Sequence, residues 1–349
     1  MASVADIPIQ NIYYLLCYAW DKLDEQDVVA VDGIDSNQIQ DLLGKVLANG
    51  MAHLLRRGLH RDYLVHNEDT GHIRGKIMFP ATIKRNLMTQ AKVNCEYDDL
   101  SHNVIHNQVL KASLRLLIMC EDLDTKVRDE LLLNYRRMHG IDDIELRNRH
   151  FDQIQLNRNN SFYDFLLKIC ELVYNNLQIS EETGHSKFRD FFRDERKMAY
   201  LFEAFVRNFY ARELKSNYRV KREDIYWDMK ALDTASESYL PKMQTDISLI
   251  KPGHKIIMDT KYYKQALQSY YDKESIRSAN LYQLHAYVTN IESRGGDNLN
   301  CEGMLLYPTV EEDIHARFDM RGHRITVASI NLNQDWQGIH RDLVELIAN

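Results

Sequence analysis

Apolar positions in the first half of the chain recur every three or four residues, which is the spacing of amphipathic helices. The pattern predicts helices over residues 11–20, 39–47, 103–119, 125–138 and 162–173. A polar, alternating stretch at residues 63–83 instead predicts short strands and a projecting loop. We therefore expect an α+β module over residues 1–150, followed by a connecting helix and linker over residues 151–185.

The second half of the chain alternates between helical and strand-like patterns. It predicts a helix at 194–216, strands at 218–227, 243–250 and 255–262, a helix at 273–290, strands at 303–308 and 323–331, and a helix at 335–348. Strands that alternate with helices favour an α/β domain. We place that domain at residues 186–349.

The strongest local signal is a pair of strand-like runs that flank the turn residues Pro252 and Gly253 and predict a β-hairpin. With these two residues in the turn, Asp246 lies opposite Asp259. The two-residue period of a strand then puts Lys261 on the same face as Asp259. A register shift of two residues pairs Asp246 with Lys261 instead. In either register the three polar side chains cluster.

Two carboxylates that face each other across a hairpin repel, and the surrounding Ile, Leu and Met residues give no structural reason for them. A divalent cation such as Mg²⁺ removes the repulsion and keeps water molecules that can act as nucleophiles. A nearby lysine can orient or deprotonate that water, or stabilise charge on a phosphate. The pattern therefore predicts phosphodiester hydrolysis. The structural alternative is an Asp246–Lys261 salt bridge, with Asp259 ending a strand.

Two further features flank this hairpin in the sequence. Glu203 lies next to the apolar stripe of the helix at 194–216, where it either reaches the metal cluster or simply marks the edge of the stripe. Gln283 and Tyr287 are four residues apart on one helix face. They could contact a metal-bound phosphate or the strand of Lys261, although Tyr287 also fits an ordinary core position.

Charge limits the way in which this chain could bind nucleic acid. It has 44 Lys and Arg against 51 Asp and Glu, a net charge of −7, so it is not a general polycationic binder. Binding to DNA needs a partner or a local basic surface. Residues 187–230 contain 12 Lys or Arg against 8 Asp or Glu. A solvated helix face explains that local excess equally well.

Other features of the sequence predict a cytoplasmic protein that does not contact a membrane. No apolar run approaches the length of a membrane span. The N-terminus lacks the basic and apolar regions of a signal peptide. The five cysteines are scattered and never form a CxxC pair, which fits a reducing compartment.

Several short segments, in order along nearly the whole chain, carry a family resemblance. They are Ile7–Leu16, Tyr18–Trp20, Arg56–Leu59, Ile73–Ile77, Leu240–Ile247, Asp259–Tyr263, Asn280–Leu284 and Leu305–Pro308. Together they resemble the McrC family, the nuclease subunits of McrBC-type 5-methylcytosine-dependent restriction systems. The C-terminal half resembles the PD-(D/E)xK, or restriction-endonuclease-like, superfamily, although Thr245 rather than proline precedes Asp246. Gln283 and Tyr287 resemble the QxxxY motif of its RecB-like branches.

The resemblance implies a division of labour between this chain and a partner. It makes Asp246, Asp259 and Lys261 the catalytic triplet of an endodeoxyribonuclease, with the two aspartates as Mg²⁺ ligands. In this family the N-terminal region docks on McrB, a hexameric AAA+ GTPase, and stimulates its GTP hydrolysis. The partner reads methylated cytosine in double-stranded DNA. This chain has no GxxxxGK[ST] loop, so we expect the partner rather than this chain to bind GTP.

Four cations of the N-terminal module are candidates for contact with the GTPase. Arg56, Arg57, Arg74 and Lys76 lie in polar, glycine-punctuated segments that suit loops reaching a partner. A cation could stabilise the negative charge of GTP hydrolysis, or the chain could reorient a residue of the GTPase. Ordinary solvated cations are the alternative. At the level of the whole chain, the alternative function is a non-catalytic adaptor that only activates the GTPase.

Overall fold

The computed structural model describes residues 7–26, 38–156, 161–179, 186–188, 194–233, 236, 238–263, 268–270, 273–309 and 313–348. Apart from residues 28–39, the chain divides into two compact units. The inserted unit comprises Gln40–Arg189. The sheet unit combines Met1–Asp27 with Asp190–Asn349 and is therefore built from both ends of the chain.

The described helices, in chain order, are α1 (Ile9–Ala19), α2 (Leu23–Gln26), α3 (Ile39–Arg57), α4 (Phe79–Lys84), α5 (Ile105–Ile118), α6 (Thr125–Arg137), α7 (Asn148–Asp152), α8 (Ser161–Asn176), α9 (Glu195–Glu213), α10 (Ser278–Glu292) and α11 (Trp336–Ala348). The described strands are β1 (Asp62–Thr70), β2 (Lys76–Ile77), β3 (Val93–Ser101), β4 (Leu177–Ile179), β5 (Ser186–Phe188), β6 (Arg219–Lys221), β7 (Asp224–Ile225), β8 (Met243–Gln244), β9 (Ile247–Lys251), β10 (His254–Thr260), β11 (Gln268–Tyr270), β12 (Lys273–Ser275), β13 (Glu302–Thr309), β14 (His315–Met320) and β15 (His323–Asn331). None of the helices in these ranges is both long and apolar enough to span a lipid bilayer.

The sheet unit is organised around six strands in the order β14-β15-β13-β10-β9-β6. The three central strands β15, β13 and β10 run parallel, and the remaining neighbours are antiparallel. Helix α10 packs on one face, against a core that includes Ile257, Leu305 and Val327. Ile256 and Met258 alternate with these positions and are also buried, so both faces of the sheet are covered. The predicted α/β character of this region is confirmed in this coarse form.

The predicted hairpin is formed by β9 and β10 in the predicted register. Met258 pairs with Ile247 and His254 with Lys251, so Pro252 and Gly253 are the turn residues. Gly253 adopts a φ of 76°, the left-handed conformation that the second central residue of a type II turn requires. The ladder stops at Ile247, one residue after Asp246.

Helix α1 belongs to the sheet unit, and the predicted domain division is wrong for it. Its side chains are apolar and buried around most of its circumference, which is typical of a core helix. It packs along α9, where Tyr18 donates a hydrogen bond to Glu213. The Asn11 amide donates to the carbonyls of Leu332 and Gln334, at the end of β15. Local periodicity predicts such a helix but not which distant segments bury it.

We expect a fragment that starts at residue 186 to be unable to fold. The α1 side chains Ile12, Tyr13, Leu15, Leu16 and Tyr18 are at most 3% exposed. Burial of one large apolar side chain contributes about 1.5–3 kcal/mol, so their loss approaches the whole stability of about 5–15 kcal/mol of a typical domain. Circular dichroism during heating should show no cooperative transition. A version with residues 1–27 joined to residue 190 by a flexible linker should regain the cooperative transition. Cooperative unfolding of the fragment that starts at residue 186 would contradict the packing of α1.

The inserted unit has an α+β composition. Helices α6 and α8 both pack against α5, and α8 is therefore part of this unit rather than a connecting segment as predicted. Strands β1, β3 and β2 form an antiparallel sheet in which β1 and β3 pair over nine residues each. Most of β1 is exposed, including Tyr63 and Val65, as expected for the projecting stretch predicted at residues 63–83.

The predicted and observed elements of the sheet unit differ at several points. The strand predicted at 218–227 is split into β6 and β7, because Glu223 leaves the ladder and forms a buried ion pair with Lys255. The helix predicted from residue 273 begins at Ser278, and β12 precedes it. Strand β14, an edge strand of the sheet, was not predicted, although its apolar residues Ala316, Phe318 and Met320 alternate with polar ones.

Candidate functional site

Two aspartates meet where the β9–β10 hairpin opens. Asp246 lies directly before β9, and Asp259 is the penultimate residue of β10. The backbone N–H and the hydroxyl of Thr260 both donate hydrogen bonds to Asp246 Oδ2, at 2.8 and 3.0 Å. These bonds attach Asp246 to the end of β10. The local reason is the register of the hairpin, which brings the residue before Ile247 level with the end of the opposite strand.

Asp259 is fully buried, and its Oδ1 atom has no hydrogen-bond partner in the described part of the chain. Its Oδ2 atom lies 2.7 Å from Lys261 Nζ as an ion pair. Burial, followed by the negative charge of Asp246, raises the pKa of Asp259 from 3.8 to about 7 despite the attraction of Lys261. The positive charge of Lys261 is therefore not enough to stabilise the ionised form of the Asp259 carboxyl group.

Lys261 begins a chain of hydrogen bonds that ends on the backbone before β9. Its Nζ donates to Gln283 Oε1 at 3.0 Å, and Gln283 Nε2 donates to the Tyr287 oxygen at 2.6 Å. The Tyr287 hydroxyl in turn donates to the Gln244 carbonyl at 2.9 Å. Burial disfavours the charged lysine, but Asp259 outweighs this effect and raises the pKa of Lys261, so the ammonium stays protonated. The salt bridge weighed as an alternative, Asp246 to Lys261, is replaced by the Asp259–Lys261 pair.

Glu203 extends the group of carboxylates from α9. Burial and the charge of Asp246 raise the pKa of Glu203, against the opposing effect of Arg222 and Arg207. The carboxylates of Glu203 and Asp246 therefore interact electrostatically. The guanidinium groups of Arg207 and Arg222 each lie 2.7 Å from the same atom, Glu203 Oε1. Two arginines on one oxygen hold this carboxylate in a defined orientation.

The donor set fits a hard divalent cation. Asp246 and Asp259 supply carboxylate oxygens, which Mg²⁺ prefers, and the unpartnered Oδ1 of Asp259 needs a positive partner. No group of three or more His, Cys, Asp or Glu side chains forms a ready-made metal cage among the described residues. An ion held here would therefore have mainly two protein ligands and would keep water in its other positions, as Mg²⁺ commonly does.

The four cations predicted to contact a partner lie on different elements of the inserted unit. Arg56 and Arg57 are exposed in the last turn of α3, where cations also complement the helix dipole. Arg74 stacks over the ring of Tyr97, with its guanidinium carbon 5.5 Å from the ring centroid. Lys76 is in β2 rather than in a loop and pairs in register with Glu96. Their role with a partner stays a prediction.

Three residues of the site were not predicted from the sequence. Thr260 is polar and lies between Asp259 and Lys261, but only the hairpin register shows that it bonds to Asp246. Arg207 is four residues after Glu203 on α9, a helical spacing that could have revealed the pair. Arg222 reaches Glu203 from beyond the end of β6, and no local pattern indicates this contact.

Comparison with known proteins identifies the family of the chain. The family model described as "McrBC 5-methylcytosine restriction system component" matches residues 10–308. The type IV methyl-directed restriction enzyme EcoKMcrBC of Escherichia coli strain K12 is 34% identical over 340 residues, which are 97% of both sequences. A refined half-complex from a tetradecameric assembly of Thermococcus gammatolerans McrB AAA+ hexamers with bound McrC is similar in fold, with a TM-score of 0.60 and 18% identity. That match covers 97% of this chain and 76% of the other. The chain therefore belongs to the family of McrBC 5-methylcytosine restriction system components.

Proposed function

We propose that this chain is the Mg²⁺-dependent DNA endonuclease subunit of a restriction complex that acts on DNA containing 5-methylcytosine. We further propose that its sheet unit is a PD-(D/E)xK nuclease domain and that the complex works in the cytoplasm. The observation that carries the proposal is the junction of Asp246, Asp259 and Lys261 at the open end of one hairpin. Membership of the McrBC family supports the choice of DNA as the substrate.

Each residue of the site has a separate task in phosphodiester hydrolysis. Asp246 and Asp259 would hold Mg²⁺, which supplies an activated water molecule and neutralises charge on the phosphate. Lys261 is protonated and offers a cation beside the two carboxylates, where negative charge develops on the phosphate. Gln283 and Tyr287 position the Lys261 ammonium, and Thr260 positions the Asp246 carboxylate.

The partner in this proposal is an McrB-like hexameric AAA+ GTPase. The Thermococcus gammatolerans structure with a similar fold contains McrC bound to McrB AAA+ hexamers. The exposed strand β1 of the inserted unit and the exposed cations Arg56, Arg57, Arg74 and Lys76 offer contact surface for such a partner. We propose that this unit stimulates GTP hydrolysis by the partner, which binds the GTP.

The proposal is tested by reconstitution of cleavage. The purified chain, an McrB-like GTPase, GTP and Mg²⁺ should together cut a plasmid that carries 5-methylcytosine. Omission of the chain, omission of GTP or chelation of Mg²⁺ should each prevent cutting, and an unmethylated plasmid should stay intact. Stimulated GTP hydrolysis without any cleavage would instead identify the chain as an adaptor that lacks nuclease activity.

Removal of the hydrogen bond that positions Lys261 should slow DNA cleavage without preventing it. In Gln283→Ala the ammonium loses its hydrogen bond, and a misplaced catalytic group typically costs about 10- to 100-fold in rate. Tyr287→Phe should have a smaller effect in the same direction, because it removes only the next link of the chain. The measurement is single-turnover cleavage. Tyr282→Phe is the matched control, because Tyr282 is the exposed neighbour of Gln283. This variant should cleave DNA at the wild-type rate. Normal rates for Gln283→Ala would exclude a positioning role.

A further inference from the structure

Basic side chains follow the edge strand β6 of the sheet unit. β6 pairs with β9 along one side, and it is the terminal strand of the six-stranded sheet. Arg219 starts the strand opposite Ile250, Lys221 ends it opposite Ser248, and Arg222 follows directly. Lys215 precedes the strand in the connection from α9. Part of the local cation excess at residues 187–230 is therefore gathered at one edge of the sheet.

A cleft of ≈ 500 Å³ opens at the start of this edge. Its lining includes Lys215, Tyr218, Arg219 and Lys251 and contains no acidic residue. The Lys251 ammonium lies 4.8 Å above the centre of the Tyr218 ring. Among the described residues, neither Lys215 nor Arg219 takes part in an ion pair. Three cations without a carboxylate among the lining residues are unusual in a chain of net charge −7.

The other end of the same edge reaches the carboxylate site. Arg222 contacts Glu203 at 2.7 Å, and Glu203 is within electrostatic reach of Asp246. The advance from Arg219 to Arg222 is about 10 Å at roughly 3.3 Å per strand residue. A DNA duplex rises about 3.4 Å per base pair along its axis, so the edge spans about three base pairs of a duplex whose axis runs parallel to it.

Two ordinary explanations account for only part of this pattern. Charged residues on an edge strand discourage pairing with other sheets, which explains Arg219 and Lys221. Cations also stabilise the C-terminal end of a helix, which explains Lys215 after α9. Neither explains why Lys251, from the end of β9, joins them in one cleft, or why the series continues to the carboxylates.

We propose that this basic edge, consisting of Lys215, Arg219, Arg222 and Lys251, binds the phosphodiester backbone of duplex DNA and directs it towards the carboxylate site. The inference rests on the proposed function and names the surface that receives its substrate. Such contacts carry no base specificity, and they position the duplex. Sequence and methylation would be read elsewhere in the complex.

The test is the salt dependence of DNA binding by the full-length chain without Mg²⁺, with a short unmethylated duplex and fluorescence anisotropy. Each lost phosphate contact should lower the slope of log K against log [NaCl] by about 0.9. We expect that change for Lys215→Ala and for Arg219→Ala, and roughly twice that change for the double variant. Arg219→Lys should keep the slope of the wild type.

Arg321→Ala is the matched control, because Arg321 is exposed in the turn that joins β14 to β15, at the opposite edge of the same sheet. It should leave the slope unchanged. An unchanged slope in the double variant, or no binding by the wild type at low salt, would overturn the inference. Cleavage by the complete complex is a separate readout, so a chain that cuts DNA with an unchanged slope disproves only this inference. A chain that binds as expected but never cuts disproves the proposed function.

Discussion

Asp259→Asn is expected to abolish DNA cleavage in the reconstituted complex. The substitution keeps the shape of a fully buried side chain but removes the charge that would hold Mg²⁺. A metal ion contributes several kcal/mol to the transition state of phosphate hydrolysis, so the rate should fall by ~10³-fold or more. Asp246→Ala should have the same effect, because neither carboxylate can replace the other. The measurement is the rate of plasmid cutting under single-turnover conditions.

The controls for this prediction separate loss of chemistry from loss of assembly. GTP hydrolysis by the partner should remain stimulated in both aspartate variants, because the inserted unit is unchanged. Asp319→Asn, at an exposed carboxylate on β14, should cut DNA normally. If Asp259→Asn cuts DNA at close to the wild-type rate, the assignment of the metal site is wrong.

The same substitution should change stability in a pH-dependent way. The pKa of Asp259 is raised in the folded chain from 3.8 to about 7. Unfolded chains therefore lose this proton at lower pH than folded ones, and the wild type loses stability as pH rises through this interval. Asparagine carries no such proton. Without metal, the melting temperature of Asp259→Asn relative to wild type should thus increase between about pH 4 and about pH 8. A difference that is constant with pH would contradict the raised pKa.

Lys261→Ala is expected to lower the cleavage rate by roughly 10²–10³-fold, the usual loss when one charge-stabilising group is removed. Lys261→Arg should also be poor. A guanidinium cannot deprotonate water, and its planar shape does not reproduce the single nitrogen atom that meets both Asp259 Oδ2 at 2.7 Å and Gln283 Oε1 at 3.0 Å. Calorimetric titration with Mn²⁺ should show that both variants still bind metal.

Lys261→Arg also distinguishes the two possible roles of this residue. The raised pKa keeps the ammonium charged when no metal is bound, which favours stabilisation of phosphate charge over proton removal. A fully active arginine variant would show that the position supplies positive charge alone. Loss of metal binding in Lys261→Ala would show instead that the lysine maintains the geometry of Asp259.

The part of the site that depends on local chemistry could be predicted from the sequence. Pro252 and Gly253 identify the turn, and the turn fixes which residues of the two strands pair. This register predicts that Asp246 and Asp259 lie close together at the other end of the hairpin. Gln283 and Tyr287 share a helix face for the equally local reason that they are four residues apart. The contact of Gln283 with Lys261 was one of two alternatives, and only the packing of α10 on the sheet selects it.

Contacts between distant segments could not be predicted in this way. Arg222 meets Glu203 because β6 and α9 are neighbours in the sheet unit, and no periodicity in either segment shows this. The packing position of α1 could not be predicted for the same reason. A helix that is apolar on most sides is expected to be buried, but its sequence does not show which segments bury it. The two-unit division was therefore misplaced at the N-terminus, although the hairpin at the site was predicted well.

The origin of the sheet unit from both ends of the chain has a consequence during synthesis. Helix α1 leaves the ribosome first, but α9 and β15, which bury it, follow only after the whole inserted unit. At about 5–20 residues per second, the delay is on the order of 10 s. A growing polypeptide therefore carries no complete sheet unit, and α1 must wait with its apolar surface uncovered. We expect the carboxylate cluster to assemble only after β15 has been synthesised, so that a shorter nascent chain has no complete candidate site.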